Sequence, residues 1–309
     1  MKLTGFKSLK ELIRYFKDEE VAREYLEAHR WEGIPTCPHC ISQKWYKINN
    51  SHRYKCGDCK KKYSVTVGTV MENSNIQISA WLMAIYVIAS HRKGISSIQL
   101  GKDIGITQKS AWFLLHRIRK MFEDKDPILL TGMVEIDETY IGGIDKKRRR
   151  KGKDKSLKPG TGYINKIPVF GLLERGGRLI YRVIDGFTTG SVLKPIIREL
   201  VDKSAIINTD GHGAYAGLDK EFAQHEVINH GAGEYTRGVY HTNTIESSFG
   251  NLKRGLIGVY HKMSFKHLQR YCNEFSYRFT TRTMKDYDRF EGLLQRLPGR
   301  LKYKDLIGK

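Results

Sequence analysis

The chain has 309 residues, enough for two or three domains, and its 54 Lys and Arg against 33 Asp and Glu give a formal net charge of +21. Such a charge attracts polyanions, so nucleic acid is the first partner to consider, and a merely solvated basic surface is the alternative. The longest apolar run is Trp81 to Ala89, well short of the roughly 18 residues that a membrane span needs. We therefore expect no membrane association.

The first predicted unit is a helical segment over residues 1–35. Ser8 and Glu11 have the spacing of a capping box, and apolar residues recur at helical intervals from Leu9 to Phe16. The mixture of charged and apolar residues over 1–16 is not that of a secretory signal. A second helix is predicted around Tyr25, and Pro35 ends the helical pattern.

Residues 36–70 are predicted to form a zinc ribbon. Two C-x-x-C pairs supply four thiolates, a ligand set that favours one structural Zn²⁺ in tetrahedral geometry; they are Cys37, Cys40, Cys56 and Cys59. Paired cysteines of this spacing indicate a metal site in a reducing cytoplasm rather than a disulfide framework. Short strands are predicted beside them, at 44–48, 53–55 and 63–67. Cys272 stands apart and is interpreted as a buried apolar residue.

Residues 76–124 are predicted to form a helix-turn-helix, with helices at 78–90, 96–104 and 107–123. In the third helix, the apolar residues Ala111, Leu115, Ile118 and Phe122 repeat at the spacing of one buried face. That leaves a polar and basic face pointing outward, made of Gln108, Lys109, His116, Arg117, Arg119 and Lys120. The candidate DNA contacts in it are Lys109, Arg117, Arg119 and Lys120. An ordinary three-helix bundle is the alternative.

From residue 131 to 285 the pattern changes to strands and helices, and 286–309 is left as a C-terminal tail. Strands are predicted at 133–141, 167–174, 178–185 and 205–208, with helices at 193–201 and from Glu246 to about Leu256. Gly176 and Gly177 give a tight turn between the second and third strands. This order suggests an α/β domain of ribonuclease-H-like type, although the order alone does not exclude other α/β folds.

A basic run lies between the first two of these strands. Residues 146–158 contain nine Lys or Arg and one Asp, a composition that cannot pack into a core. We interpret the run as a phosphate-contacting arm that includes Arg148, Arg149 and Arg150. A solvated loop without a partner is the alternative.

Three carboxylates carry the predicted chemistry. Asp137 lies in an acidic cluster within a strand otherwise built of Val, Ile and Tyr, Asp210 follows an apolar strand before a Gly-rich turn, and Glu246 begins a helix. Together they can hold two hard divalent cations, about 3.5–4 Å apart, which clamp the attacking and leaving oxygens of a phosphoryl transfer. Lys253, seven residues after Glu246, shares its helix face, and both Lys253 and Arg254 are candidate DNA contacts.

Other residues near these carboxylates could replace or assist them. Glu135 and Glu138 are alternatives or additions to Asp137 as metal ligands. Asp185 also follows a strand, but its neighbours indicate a turn. His212 and His241 are either orienting groups or structural residues.

The spacing of the carboxylates, with Lys253 after the glutamate, resembles the DDE motif of insertion-sequence transposases. Residues 134–143 and 241–246 look like the branch that carries a zinc ribbon before an ISXO-type DDE domain, as do 25–40 and 256–262. The family often has Phe-x-x-Arg-x-Asn-x-Arg near its C-terminus, where this chain has Thr280 in place of Asn.

The resemblance implies Asp137, Asp210 and Glu246 as metal ligands, a ribonuclease-H-like fold and Mg²⁺ (or Mn²⁺). It further implies double-stranded DNA as partner, as terminal inverted repeats and target, and a homo-oligomer on paired ends in the bacterial cytoplasm and nucleoid. Two alternatives remain open. One is a transposase-derived DNA-binding regulator without catalysis, and the other is a metal-dependent DNA nuclease that does not join strands.

Overall fold

The structure is a computed structural model that describes residues 5–123, 128–142, 166–261 and 263–308. The chain divides into two compact units, Met1–Glu123 with Thr283–Lys309, and Asp124–Arg282. The predicted basic arm, with Arg148, Arg149 and Arg150, lies outside the described residues. No helix in the described ranges has both the length and the apolar character to cross a bilayer.

The elements follow in chain order. The helices are α1 Leu9–Tyr15, α2 Glu19–Trp31, α3 Ile78–Ser90, α4 Ser97–Asp103, α5 Gln108–Met121, α6 Gly190–Leu200, α7 Asn243–Gly255, α8 Phe265–Thr280, α9 Asp286–Leu294 and α10 Tyr303–Ile307. The strands are β1 Trp45–Lys47, β2 Tyr54–Cys56, β3 Lys62–Tyr63, β4 Met133–Gly142, β5 Lys166–Glu174, β6 Leu179–Val183, β7 Ile206–Asp210 and β8 Gln224–Ile228.

Side-chain caps begin the helices of the first unit where the sequence predicts them. The Ser8 hydroxyl accepts a hydrogen bond from the backbone N–H of Glu11 at 3.3 Å, and Thr107 caps α5 through the N–H of Ser110 at 3.3 Å. Each cap satisfies an amide that has no partner within its helix. The predicted caps at Ser8 and Thr107 are thus confirmed.

The first unit has an aromatic core that includes the C-terminal residues. Phe290 of α9 is fully buried and its ring lies 6.4 Å from Tyr25 and 5.9 Å from Tyr86. Helices α9 and α10, which fall in the stretch that the sequence suggests as a tail, thus belong to this unit. Two separated parts of the chain build one core here.

Helix α5 is more buried than its apolar pattern indicates. The predicted stripe of Ala111, Leu115, Ile118 and Phe122 is buried, as expected. However, His116, Arg117 and Arg119 are also buried, at 0%, 3% and 1% exposure, so the prediction that they face outward is wrong. Buried side chains cannot reach a bound duplex, so Arg117 and Arg119 are not candidate DNA contacts.

Aromatic packing explains how α5 buries an arginine. The Arg117 guanidinium lies 5.1 Å from the ring centres of both Trp81 and Phe113 and donates to the Glu72 carbonyl at 2.5 Å. Burial lowers the pKa of Arg117 to about 10. A planar cation stacked on aromatic rings tolerates desolvation. The spacing of charged residues along a helix does not reveal that such rings are nearby. Lys109 remains exposed, and Lys120 is partly exposed beside Glu123.

The second unit is built on a five-stranded sheet in the order β6-β5-β4-β7-β8. Strands β4, β5 and β6 are antiparallel neighbours, whereas β7 and β8 run parallel to β4. Apolar residues of α6 pack on one face, and those of α7 and α8 pack on the other. This order and these directions are those of a ribonuclease-H-like fold, as predicted; β8 was not predicted.

Helix α8 covers the β6 edge of the sheet. Its side chains Gln269, Ser276 and Thr280 accept hydrogen bonds from the backbone N–H groups of Val183, Tyr181 and Leu179, at 2.8, 3.2 and 3.1 Å. Alternate amides of an edge strand point away from the sheet and need such partners. Thr280, the departure from the family pattern, thus has a structural contact in this chain.

Candidate active site and cysteine cluster

The four paired cysteines form a compact cluster in the first unit. The sulfurs of Cys37 and Cys59 are 3.7 Å apart, those of Cys40 and Cys56 are 3.5 Å apart, and all four lie within 4.8 Å of one another. A tetrahedral zinc with Zn–S bonds of about 2.3 Å requires sulfurs roughly 3.8 Å apart. The cluster therefore fits the predicted ion.

Two equivalent turns and a small aromatic cluster hold the cysteines. Ile41 and Lys60, each four residues after the first cysteine of its pair, both adopt left-handed backbone angles, with φ of 61° and 62°. Tyr54 and Tyr63 flank the turns and contact Trp31 at ring distances of 5.2 and 6.0 Å. Cys272 is fully buried within α8, as predicted.

In the second unit, Asp137 lies in the middle of β4, beside Asp210, the last residue of the parallel strand β7. The β4–β7 register pairs Glu135 with Asn208, and continuing it by two residues places Asp137 beside Asp210. Both line one cleft, together with Glu138, Thr139, Tyr140, Lys166, His212 and Lys253. Ligands bind at the carboxyl ends of parallel strands in open α/β sheets.

The surroundings of the Asp137 carboxyl favour its neutral, protonated form. Burial and the nearby charges of Asp210, Glu138 and Glu246 raise its pKa to about 8, although it accepts a hydrogen bond from the Glu138 N–H at 2.7 Å. Carboxylates that lie this close together repel one another, and binding either a proton or a metal cation relieves that repulsion. The site therefore has the donor atoms and the excess negative charge that a hard divalent ion needs.

Glu246 lies in the first turn of α7, and its charge contributes to the raised pKa of Asp137. Its carboxylate accepts a hydrogen bond from the Thr242 hydroxyl at 3.0 Å and lies 3.4 Å from His230 Nε2. Within the described chain, Asp137, Asp210 and Glu246 do not form a group as tight as the cysteines, whose ligand atoms all lie within 4.8 Å. Glu246 is 46% exposed, so its side chain has room to turn.

The two glutamates beside Asp137 have different surroundings. Glu138 lines the cleft, where it accepts a hydrogen bond from Tyr215 Oη and lies 3.1 Å from His212 Nδ1. Glu135 is completely buried and contacts the beginning of α7 and Arg175. His241 Nδ1 lies 3.4 Å from Oε1 of Glu135, so this histidine contacts the buried glutamate.

Two lysines bring positive charge to the cleft. Lys253, a predicted DNA contact, lines it, whereas its neighbour Arg254 hydrogen-bonds Asn251 Oδ1 at 2.6 Å. Lys166 also lines the cleft and was missed by the sequence reasoning. It begins β5 opposite Gly142, at the far end of β4 from the sequence neighbours of Asp137, so its place in the cleft follows only from the three-dimensional fold. Asp185 is exposed after β6 and does not line the cleft.

Comparison with known proteins gives matches over most of the chain. Residues 129–280 match the ISXO2-like transposase domain, and residues 17–62 match the transposase zinc-ribbon domain. The chain is also 30% identical over 275 residues to an uncharacterized protein in the transposable element ISH50 of Halobacterium salinarum. That alignment covers 86% of this chain and 92% of the relative.

Among solved structures, two of Mos1 transposase align with the chain at 12% identity. The Mos1 paired-end complex with the left transposon end gives a TM-score of 0.30, with 94% of this chain and 93% of the other covered. The pre-cleavage Mos1 transpososome gives a TM-score of 0.28, with 93% and 94% covered.

Proposed function

The chain belongs to the ISXO2-like transposase family, and from this premise we propose that it cuts and joins DNA at the cleft that Asp137 and Asp210 line, with Glu246 as the third carboxylate. The substrate is the terminal inverted repeats of its own element together with target DNA. The observation that carries the proposal is that Asp137 and Asp210 lie side by side on β4 and β7 and line one cleft.

The three carboxylates are the proposed ligands of two Mg²⁺ or Mn²⁺ ions. Bound there, the ions would neutralise phosphate charge and lower the pKa of an attacking water or 3′-hydroxyl. The raised pKa of Asp137 means that its proton leaves when a cation is bound. Glu246 has to turn toward the two aspartates, which its exposure permits. Glu138 stays with Tyr215 and His212.

Positive groups beside the carboxylates suit a DNA backbone. Lys166 and Lys253 line the same cleft, and ammonium groups there can hold the phosphates that flank the reacting bond. The cleft thus combines carboxylates that can bind metal cations with lysines that can bind the nucleic acid.

The first unit is proposed to recognise the DNA ends. Four cysteine ligands fill a zinc shell, so this ion has a structural role. Helices α4 and α5 are separated by a short turn in which Gly105 takes a φ of 70°, consistent with a helix-turn-helix. Lys109 and Lys120 keep side chains at its surface. Assembly as a homo-oligomer on paired ends is part of the same proposal.

A strand-joining assay tests the proposed function. Full-length protein with Mn²⁺ is incubated with a labelled inverted-repeat duplex that has a free 3′-hydroxyl, together with plasmid DNA. We expect labelled plasmid to appear, because the same site that cuts a phosphodiester can direct a 3′-hydroxyl to another. Cut ends without joined product would instead indicate a nuclease. DNA binding without either reaction would indicate a regulator.

Lys253→Ala is expected to weaken DNA binding and flatten its salt dependence. Loss of one phosphate contact lowers the slope of log affinity against log salt by about 0.9. Fluorescence anisotropy with an inverted-repeat duplex over a range of KCl measures both. Lys203→Ala removes an exposed lysine from the same unit, outside the cleft, and should leave the slope unchanged. Equal slopes for Lys253→Ala and the native protein would remove Lys253 from the DNA interface.

A further inference from the structure

Glu135 is a carboxylate of β4 that the proposed chemistry leaves unused. It lies two residues before Asp137, on the same face of the strand, and its side chain is fully buried. A buried carboxylate is unfavourable unless it is paired and hydrogen-bonded. Its partners therefore indicate its role.

One oxygen of Glu135 caps α7. Oε2 accepts hydrogen bonds from the backbone N–H groups of Thr244 and Ile245, at 2.9 and 3.0 Å. Amides in the first turn of a helix have no partner within the helix, and the helix dipole favours an anion there. The N-cap residue, Thr242, makes no side-chain capping bond, and its hydroxyl donates to Glu246 instead. The capping group of α7 thus comes from the strand.

The other oxygen of Glu135 fixes the chain that leads into α7. Oε1 accepts from Arg175 Nε and Nη2, at 3.0 and 2.9 Å. Arg175 also donates to the carbonyls of Val239 and His241, at 2.5 and 3.3 Å. The pair therefore ties the residues just before α7 to strand β4.

Close packing sets the depth of α7 on the sheet. Gly171 pairs with Asp137 across β4 and β5. A Cβ atom at position 171 would lie 2.8 Å from both Ile245 Cδ1 and Phe249 Cζ. The helix thus rests directly on the backbone beside Asp137, and Glu135 determines where its first turn begins.

We propose that Glu135 is a positioning residue, which anchors the first turn of α7 so that Glu246 can turn toward Asp137 and Asp210. Glu246 is one residue beyond the capped amide of Ile245, so a shift of that turn moves its carboxylate directly. The role toward metal rests on the proposed function, whereas the anchoring of α7 does not.

The test compares Glu135→Ala and Glu135→Gln with Glu221→Gln in zinc-loaded full-length protein. Glu221 pairs with Arg198 at 2.6 Å in the same unit, in an exposed position, and controls for the loss of an ion pair. Amide hydrogen exchange reports on residues 244–246 without metal, and electron paramagnetic resonance measures Mn²⁺ binding.

For Glu135→Ala we expect faster exchange at 244–246 and a Mn²⁺ dissociation constant raised by about tenfold or more, the usual cost of losing a residue that orients a metal ligand. Glu135→Gln should show smaller changes, because its amide oxygen can still accept from both N–H groups. Glu221→Gln should match the native protein. If Glu135→Ala does not fold, amide exchange and Mn²⁺ affinity measured on Glu135→Gln test the proposal instead.

Two results would overturn the proposal. One is unchanged exchange and Mn²⁺ affinity in the Glu135 variants. The other is loss of Mn²⁺ binding with native exchange at 244–246, which would make Glu135 a ligand itself. A Glu246→Gln variant separates this from the proposed function. If it binds Mn²⁺ like the native protein, Glu246 is not a ligand, and the exchange result for Glu135 still stands.

Discussion

Asp210→Asn is expected to lower the rate of strand cleavage by at least about 1,000-fold, which corresponds to roughly 4 kcal/mol or more in the barrier. The change removes one negative charge and one metal-binding oxygen at the centre of the cleft. The remaining amide oxygen can still accept from the His212 N–H, a bond of 3.0 Å in the native chain. The fold and DNA binding should therefore survive while the reaction does not.

Cleavage of a labelled inverted-repeat duplex under single-turnover conditions measures the effect, and an electrophoretic shift measures binding. Asp185→Asn is the matched control, because Asp185 also follows a strand but is exposed outside the cleft. Its variant should cleave at the native rate. Native cleavage by Asp210→Asn would show that the carboxylate cluster is not the reaction centre.

Cys37→Ser is expected to remove zinc from the first unit and unfold the β1–β3 segment. Structural zinc in small domains contributes about 10–16 kcal/mol of apparent binding energy at neutral pH, far more than three short strands can replace. Loss of this segment uncovers Trp31, which now packs against Tyr54. Zinc content by elemental analysis and tryptophan fluorescence should both change, and binding to the inverted repeat should weaken.

Cys272→Ala is the control for cysteine loss, since Cys272 is buried in α8, far along the chain from the paired cysteines. It should keep one zinc per chain. A Cys37→Ser protein with one zinc per chain and native fluorescence would contradict the role assigned to the cluster.

Local signals predicted most of the elements. Helix caps such as Ser8 and Thr107 act through residues three positions away, so the sequence alone reveals them. Strand β8 was missed for the opposite reason. It is a five-residue edge strand in which only Ile228 is buried, so it lacks an apolar run or an alternating pattern.

The roles of neighbouring charged residues required the tertiary structure. Glu135 and Asp137 share one face of β4, and sequence alone could not show that one meets the start of α7 while the other meets Asp210. The register of β4 with β7 places Asp137 beside Asp210, and the position of α7 brings its first amides to Glu135. In α5, the basic pattern indicated a surface, but Arg117 is buried because Trp81 and Phe113 surround it.

The side chains of α8 that bind the amides of β6 also limit how this protein can associate with copies of itself. With the N–H groups of Leu179, Tyr181 and Val183 already bonded, a strand from another molecule has no amides to pair with at that margin. In the proposed homo-oligomer, protomers would therefore join through side-chain surfaces or through the opposite margin of the sheet. A continuous intermolecular sheet built from β6 would first have to break these three hydrogen bonds.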